Sequence, residues 1–132
     1  MADTVDTKVI FSGTRRYVTK LTCISDGTGE SGVVKVDIST LTGPSGGVVS
    51  KVVLEEVQWS IVGFSSVRLY FDHTTDDEMA VLGSGSGYFN FRPAGGSVDP
   101  ASSGGTGDII LSSANPIVGA TYDITLVLRL KD

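Results

Sequence analysis

Residues Val52 to Asp72 read VVLEEVQWSIVGFSSVRLYFD, and this stretch decides the fold. Apolar and polar residues alternate on both sides of a short segment that contains Gly63. Successive side chains of a strand point to opposite faces, so the pattern predicts two strands that each have one apolar face. The apolar positions are Val57, Trp59, Ile61, Val67, Leu69 and Phe71. We therefore predict a central hairpin with residues 62–66 as its connection and the single tryptophan in the core.

Two adjacent glutamates, Glu55 and Glu56, interrupt the alternation before Val57. A strand over residues 48–62 would also exceed the typical length of about 3–10 residues. We therefore expect a β-bulge or a break near the glutamates. A helix over residues 51–59 is the competing interpretation, but the density of β-branched residues favours a strand.

The rest of the chain shows further short alternating segments separated by glycine-rich turns. They predict strands at residues 7–12, 15–25, 33–38, 88–91, 109–112 and 121–131. We expect 15–25 and 33–38 to form a hairpin. Thr75-x-x-Glu78 fits a helix capping box, which leaves residues 76–82 as one or two helical turns or as a wide turn leading to a short strand.

These elements predict an all-β fold, an antiparallel β-sandwich of the jelly-roll or immunoglobulin-like kind with about seven or eight strands and at most one short helix. The 132 residues favour one domain, which we place at 7–132 after a flexible N-terminal arm at 1–6. The 17 glycines have no fixed period and indicate tight turns. Residues 92–108 form the longest predicted loop, and loops of that length are often functional or flexible.

Net charge and hydropathy exclude several classes of function. The chain carries a formal net charge of −5, which argues against a nucleic-acid partner. Its one basic cluster, Arg15, Arg16 and Lys20, is expected to be a solvated strand end. No apolar stretch is long enough to span a membrane, and residues 1–6 do not resemble a secretory signal. We expect synthesis in the cytoplasm, where the single Cys23 is a buried structural thiol.

No catalytic motif stands out. His73 is the only histidine, and Ser65 and Ser66 lack the Gly-x-Ser-x-Gly context of a nucleophile elbow. Glu55 and Glu56 do not suit a glycosidase, because neighbouring strand residues are expected to point to opposite faces. We therefore predict a protein that is not an enzyme and has no cofactor.

Three other groups of residues are candidates for binding small ligands. The spacing of Asp72, Asp76, Asp77 and Glu78 does not match a calcium loop, so a solvated loop is favoured over a divalent-ion site. The glycine-rich runs at 43–47 and 104–107 lack a phosphate-binding context. Four strand aromatics are predicted to be core or interface residues, with a sugar-stacking platform as the alternative. They are Tyr70, Tyr88, Phe89 and Phe91.

Several stretches of this sequence together resemble small virion structural proteins of tailed bacteriophages, including head decoration or cement proteins. The stretches are Tyr17–Ser31 (YVTKLTCISDGTGES), Val67–Asp77 (VRLYFDHTTDD), Gly85–Phe91 (GSGYFNF), Thr106–Ser113 (TGDIILSS) and Tyr122–Lys131 (YDITLVLRLK). They are turns and strands rather than catalytic signatures. The resemblance implies a β-sandwich that binds the capsid or another virion component, often as an oligomer.

From the resemblance we expect a capsid decoration protein that binds and stabilises the major capsid protein shell. The expected partners are the major capsid protein, other virion proteins and further copies of this chain, and the expected location is the capsid surface after synthesis in the bacterial host. The residues expected to make contacts are Ala2, Asp3, Thr4, Val5, Asp6, Arg92, Pro93, Val98, Asp99 and Pro100. The alternative is a carbohydrate- or receptor-binding module of a tail or fibre.

Overall fold

Eight antiparallel strands make up most of the structure, a computed structural model that describes residues 4–72, 77–98 and 107–131. The strands are β1 (Thr4–Ser12), β2 (Arg16–Asp26), β3 (Val33–Val36), β4 (Lys51–Phe71), β5 (Asp77–Asn90), β6 (Ser97–Val98), β7 (Ile109–Ala114) and β8 (Val118–Lys131). Two single 3-10 turns, Ile38–Thr40 and Arg92–Ala94, are the helical elements of this described part. The strand order is β1-β2-β8-β4-β7-β3, with β5 and β6 also paired to β4.

The predicted central hairpin is wrong, because Lys51–Phe71 is one strand of 21 residues. Its first part pairs with β8 through Val62, and its second part pairs with β7 from Ser66 onward. Gly63, at φ +84°, lies between the two parts. The strand therefore passes from one neighbour to the other instead of turning back. Alternation alone cannot distinguish these two courses, since both keep one apolar face.

The long β4 connects two layers that share one core. One layer holds β1, β2, β8 and the first part of β4, and the other holds β3, β7 and the second part. A single buried cluster draws on both layers, including Leu126 of β8, Leu69 of β4 and Leu111 of β7. The predicted all-β antiparallel sandwich is confirmed.

The strand patterns read from the sequence largely match the observed burial. Tyr122, Ile124, Leu126, Leu128 and Leu130 are the buried positions of β8. In β2, Thr19, Leu21 and the predicted structural thiol Cys23 are buried.

The predicted pairing of residues 15–25 with 33–38 is wrong. β2 pairs with β1 and β8, whereas β3 pairs with β7 in the other layer. The loop between β2 and β3 crosses between layers, and the amide of Glu30 donates to Ser113 Oγ at the end of β7. A glycine-rich turn in the sequence does not distinguish this crossing from a hairpin.

The local alternatives are resolved by β4 and β5. The register between β4 and β8 shifts between Leu54 and Glu56, which confirms the predicted bulge, and residues 51–59 are strand rather than helix. Strand β5 begins at Asp77 and includes the glycine–serine run 83–87, so it starts well before the strand predicted at 88–91. The strand alternative for residues 76–82 is therefore the one found in the described part, from Asp77 onward.

Candidate functional site

An open cleft lies beside the turn between β1 and β2. It has a volume of about 600 Å³ and is lined by Phe11, Gly13, Thr14, Arg15, Arg16 and Arg129. The turn is closed by the Gly13 amide, which donates to the Arg16 carbonyl at 2.9 Å. Arg16 and Arg129 are register partners on β2 and β8, so the sheet itself places two guanidinium groups side by side.

Glu55 carries the negative charge beside these arginines. Its carboxylate is 7% exposed, and its oxygens lie 3.3 Å from Arg16 Nε and 3.9 Å from Arg129 Nη1. The nearer oxygen, Oε1, is buried and makes no hydrogen bond of good geometry within the described residues. The sequence indicated the Arg15–Arg16 pair but not Arg129, because the pairing of β2 with β8 was not predicted.

Glu56 belongs to a second polar group on the same sheet face. It accepts a hydrogen bond from the Tyr88 hydroxyl and lies 2.7 Å from Arg92 Nη2. The hydrogen bond to Glu56 raises the pKa of Tyr88 above its ordinary value.

The prediction that Glu55 and Glu56 point to opposite faces is wrong. Glu56 is the register partner of Val127, and Glu55 contacts Arg129, and both of these β8 positions alternate with the buried leucines. The bulge adds one residue and so breaks the alternation. On this shared face Glu55 pairs with Arg16 of β2 and Arg129 of β8, whereas Glu56 pairs with Arg92, which follows β5. The two carboxyl groups are therefore engaged in separate ion pairs, which is not the arrangement of two carboxyl groups facing one glycosidic bond.

A third polar group is buried between the layers. Lys35 Nζ lies 2.6 Å from Glu30 Oε2, and both side chains are almost fully buried. The Tyr122 hydroxyl donates to Glu30 Oε1 at 2.5 Å. These bonds attach the β2–β3 loop to β3 and β8, so we assign the group a structural role. No sequence signal indicated it, since Glu30 lies in a turn and Lys35 in an alternating strand.

Large apolar residues are exposed at one end of the sandwich. Ile24 and Val62 are both register partners of Thr121, and the Ile117 amide donates to the Gly63 carbonyl next to Val62. We call Ile24, Val62, Ile117 and Val118 the apolar end patch; they are 60–81% exposed. Apolar residues grouped on a surface in this way mark interaction sites.

Strand β1 is the second exposed apolar region. All nine of its residues are exposed, although four of them are large and apolar. These four are Val5, Val9, Ile10 and Phe11, each 44–55% exposed. Strand β1 is the end of the sheet and pairs with β2 alone within the described ranges.

The predicted contact residues fall into two separate places. Thr4, Val5 and Asp6, which the sequence assigned to a flexible arm, lie in β1 opposite residues 22–24. Arg92 and Pro93 lie in an exposed 3-10 turn, and Val98 lies in β6 opposite Val53. Strands β2, β8 and β4 separate the two groups.

The other predicted contact residues, Ala2, Asp3, Asp99 and Pro100, are outside the described residues. His73 and Asp76 are outside them as well. Among the residues that are described, no three His, Cys, Asp or Glu side chains are grouped to hold a metal ion. The exposed Ser65 hydroxyl donates to the Ala114 carbonyl and accepts from Asn115 Nδ2, which is a structural arrangement. In the described ranges, no helix has the length and apolar character needed to cross a membrane.

The four predicted aromatics do not form one platform. Phe89 contacts Trp59 and Phe91, with ring centroids 5.3 and 5.7 Å apart. Tyr88, next to Phe89 on the strand, faces the other side and contacts Glu56. Tyr70 lies opposite Glu78 at the other end of β4.

A smaller polar cleft of about 240 Å³ lies across β2, β8, β4 and β5. It is lined by Lys20, Gln58, Trp59, Ser60, Ser86, Asp123 and Thr125. Lys20 Nζ lies 3.1 Å from Asp123 Oδ2 within it. Its side chains offer both hydrogen-bond donors and acceptors.

Comparison with known proteins finds similarity of shape alone. No protein-family model matches the chain, and no curated protein matches it in sequence. Three of the similar solved structures are of different kinds. A capsid structure of Helicobacter pylori bacteriophage KHP30 is 14% identical, with 96% of this chain and 95% of that chain covered and a TM-score of 0.42.

The other two kinds are a cupin domain and a carbohydrate-binding module. The cupin domain from Bordetella pertussis is 9% identical over 97% of this chain and 94% of that chain, with a TM-score of 0.37. A family 29 carbohydrate-binding module from Piromyces equi is 10% identical over 99% and 81%, with a TM-score of 0.38. Similarity at this level does not distinguish a capsid protein from a cupin or a carbohydrate-binding module, so the function has to be inferred from the surface of the chain.

Proposed function

We propose that the chain is a non-enzymatic structural protein of a tailed-phage virion that binds the outside of the capsid as a decoration protein. The proposal rests on the resemblance of its turn and strand stretches to such proteins. The observation that carries it is the grouping of large exposed apolar residues in the apolar end patch, on a sandwich whose core is otherwise well covered.

The apolar end patch is the surface we assign to the capsid. Its residues come from β2, β4, the β7–β8 connection and β8, so four segments of a rigid scaffold hold them in fixed positions. Burying one large aliphatic side chain contributes about 1.5–3 kcal/mol, and little side-chain entropy is lost when the scaffold is already ordered. Repetition of the same contact over a capsid gives many equivalent sites.

The test is binding to particles assembled without this protein. Val118→Asp and Ile117→Asp place a charge in the patch at positions more than 60% exposed, so the fold is expected to persist. If an aspartate removes the burial of one aliphatic side chain, binding weakens about tenfold or more in co-sedimentation. Val81→Asp is the matched control, because Val81 is an exposed strand valine on β5.

Unchanged occupancy of the particles by both patch variants would contradict the assignment of the patch. Failure of the wild-type protein to co-sediment with particles, together with its absence from purified virions, would contradict the function itself. Circular dichroism melting of each variant separates lost binding from lost folding.

The second candidate function is carbohydrate or receptor binding by a tail or fibre module. The polar cleft beside Trp59 favours it, because sugars are bound by convergent hydrogen-bonding side chains next to aromatic rings. A glycan array tests this candidate. Hits that disappear in Gln58→Ala, a substitution at an exposed lining residue, would replace the capsid proposal with this one.

A further inference from the structure

Strand β1 has a free edge that is poorly protected against association. Natural edge strands are commonly short, or carry proline, lysine or bulges that hinder pairing with another strand. β1 is nine residues long and has no proline; its one lysine, Lys8, shares a face with Asp6, and its register shift lies at the end of the strand, beyond Val9. Its inner face carries Val5 and Val9, opposite the buried Cys23 and Thr19, yet both valines are nearly half exposed.

The sequence of β1 is complementary to itself when it is reversed about Thr7. In an antiparallel pair centred on that residue, Asp6 lies opposite Lys8, and Val5 lies opposite Val9. The two-fold axis makes each pair occur twice. Asp6 and Lys8 share one face of the strand, and Val5, Thr7 and Val9 share the other.

The monomer leaves the charges of this strand unmatched. Lys8 is the register partner of Lys20, and like charges directly opposite each other are destabilising. Lys20 is paired with Asp123 on its other side. Neither Asp6 nor Lys8 makes an ion pair with another side chain in the part of the chain that the structure describes.

We propose that two copies of this chain form a symmetric dimer by antiparallel pairing of their β1 strands, centred on Thr7. Two Asp6–Lys8 pairs form on the outer face and two Val5–Val9 pairs on the inner face. The sheet then runs continuously through both copies. The shift of register between Val9 and Phe11 limits the regular part of β1, so the pairing extends from Thr4 to Ile10.

The dimer does not depend on capsid binding, since β1 and the apolar end patch are different surfaces and the dimer is measured on the free protein. Sedimentation equilibrium of the wild type is expected to give twice the chain mass of 13.8 kDa. Asp6→Lys and Lys8→Asp each turn two attractive pairs into two repulsive ones. Each is expected to weaken the dimer by about tenfold or more, with the effect reduced at high salt.

The decisive measurement mixes the two charge variants. Asp6→Lys offers only lysines and Lys8→Asp only aspartates, so a mixed dimer regains both opposite-charge pairs while neither variant pairs well with itself. The double variant Asp6→Lys/Lys8→Asp is expected to dimerise like the wild type. Glu78→Lys, an exposed strand carboxylate on β5, controls for the change in net charge.

Three results would overturn the proposal: a wild type that stays monomeric at its highest soluble concentration, a dimer that both single variants leave intact, or a mixture of the variants that forms no mixed dimer. Melting curves establish that the variants are folded, and the exposed positions of Asp6 and Lys8 make folding failure unexpected.

Discussion

Strands β1 and β8 flank the same strand, β2, and differ in almost every other respect. Both pair with β2 in antiparallel register over most of its length. From Ala120 to Leu130, β8 alternates buried apolar residues with exposed or partly exposed ones, and it lies in the middle of the sheet. β1 has comparable apolar content, but none of its residues is buried.

The difference separates two causes of strand formation. Strand β1 is held on the sheet by its pairing with β2 and by a hydrogen bond from Thr19 Oγ1 to the Lys8 carbonyl, and none of its residues is buried, whereas β8 also buries side chains in the core. The apolar residues of β8 that are buried in the core are therefore accounted for by the fold, whereas those of β1 are not. An exposed apolar strand of this length is explained when its cover is another protein surface, which is the basis of the dimer proposal.

The largest expected effect is the loss of a β8 core side chain. Leu126→Ala removes a fully buried side chain and leaves a cavity, so it should lower the free energy of unfolding by about 2–5 kcal/mol. Urea denaturation monitored by tryptophan fluorescence measures the change. The matched variant in β1, Val9→Ala, should change the stability of the monomer by less than about 1 kcal/mol. Equal losses of unfolding free energy in the two variants would show that β1, like β8, is covered in the monomer.

The next effect concerns the place where β8 meets the bend of β4. Gly63 has φ +84°, and a β-carbon there would lie 2.8 Å from Ala120 Cβ and 3.0 Å from Ala120 Cα. Gly63→Ala therefore combines backbone strain with overpacking and should cost about 2–4 kcal/mol. Gly46→Ala has a similar φ of +90° but open space, so it should cost only about 1–2 kcal/mol. Similar losses of unfolding free energy for Gly63→Ala and Gly46→Ala would mean that the close packing of Gly63 against Ala120 adds nothing to the cost of backbone strain.

A smaller effect tests the polar attachment of β8. Tyr122→Phe removes the hydroxyl bonded to the buried Glu30 carboxylate and should cost about 1–3 kcal/mol. Tyr88→Phe removes the same kind of bond, to Glu56, at an exposed position, and should cost clearly less than Tyr122→Phe because water can replace the lost partner. Thermal denaturation of the pair measures the difference. A larger loss of stability for Tyr88→Phe than for Tyr122→Phe would show that Glu56, rather than Glu30, accepts the structurally important hydrogen bond.

The sequence was sufficient to predict which face of each strand is buried, but not which strands pair with each other. The alternation around Leu126, the buried Cys23 and the irregularity at Glu55 each follow from a local pattern. The course of β4 through Gly63 does not, because a bent strand and a hairpin need the same residues on the same faces.

The polar groups show the same limit. Arg129 joins Arg16 only because β8 pairs with β2, and Lys35 meets Glu30 only because the loop crosses between layers. Both depend on contacts between residues far apart in the chain, and a single sequence does not specify these.

The smallest expected effect separates the two faces of β8. On its outer face Asp123 pairs with Lys20 of β2, and both side chains are more than a third exposed. Solvent and salt screen such a pair, so Asp123→Asn should change the free energy of unfolding by no more than about 0.5 kcal/mol. Chemical denaturation at low and high salt measures it, with Asp6→Asn on β1 as the control. If Asp123→Asn approached the loss expected for Leu126→Ala, outer-face ion pairs would hold β8 in place. Strand β8 would then differ from β1 in the pairing of its charges rather than in the burial of its side chains.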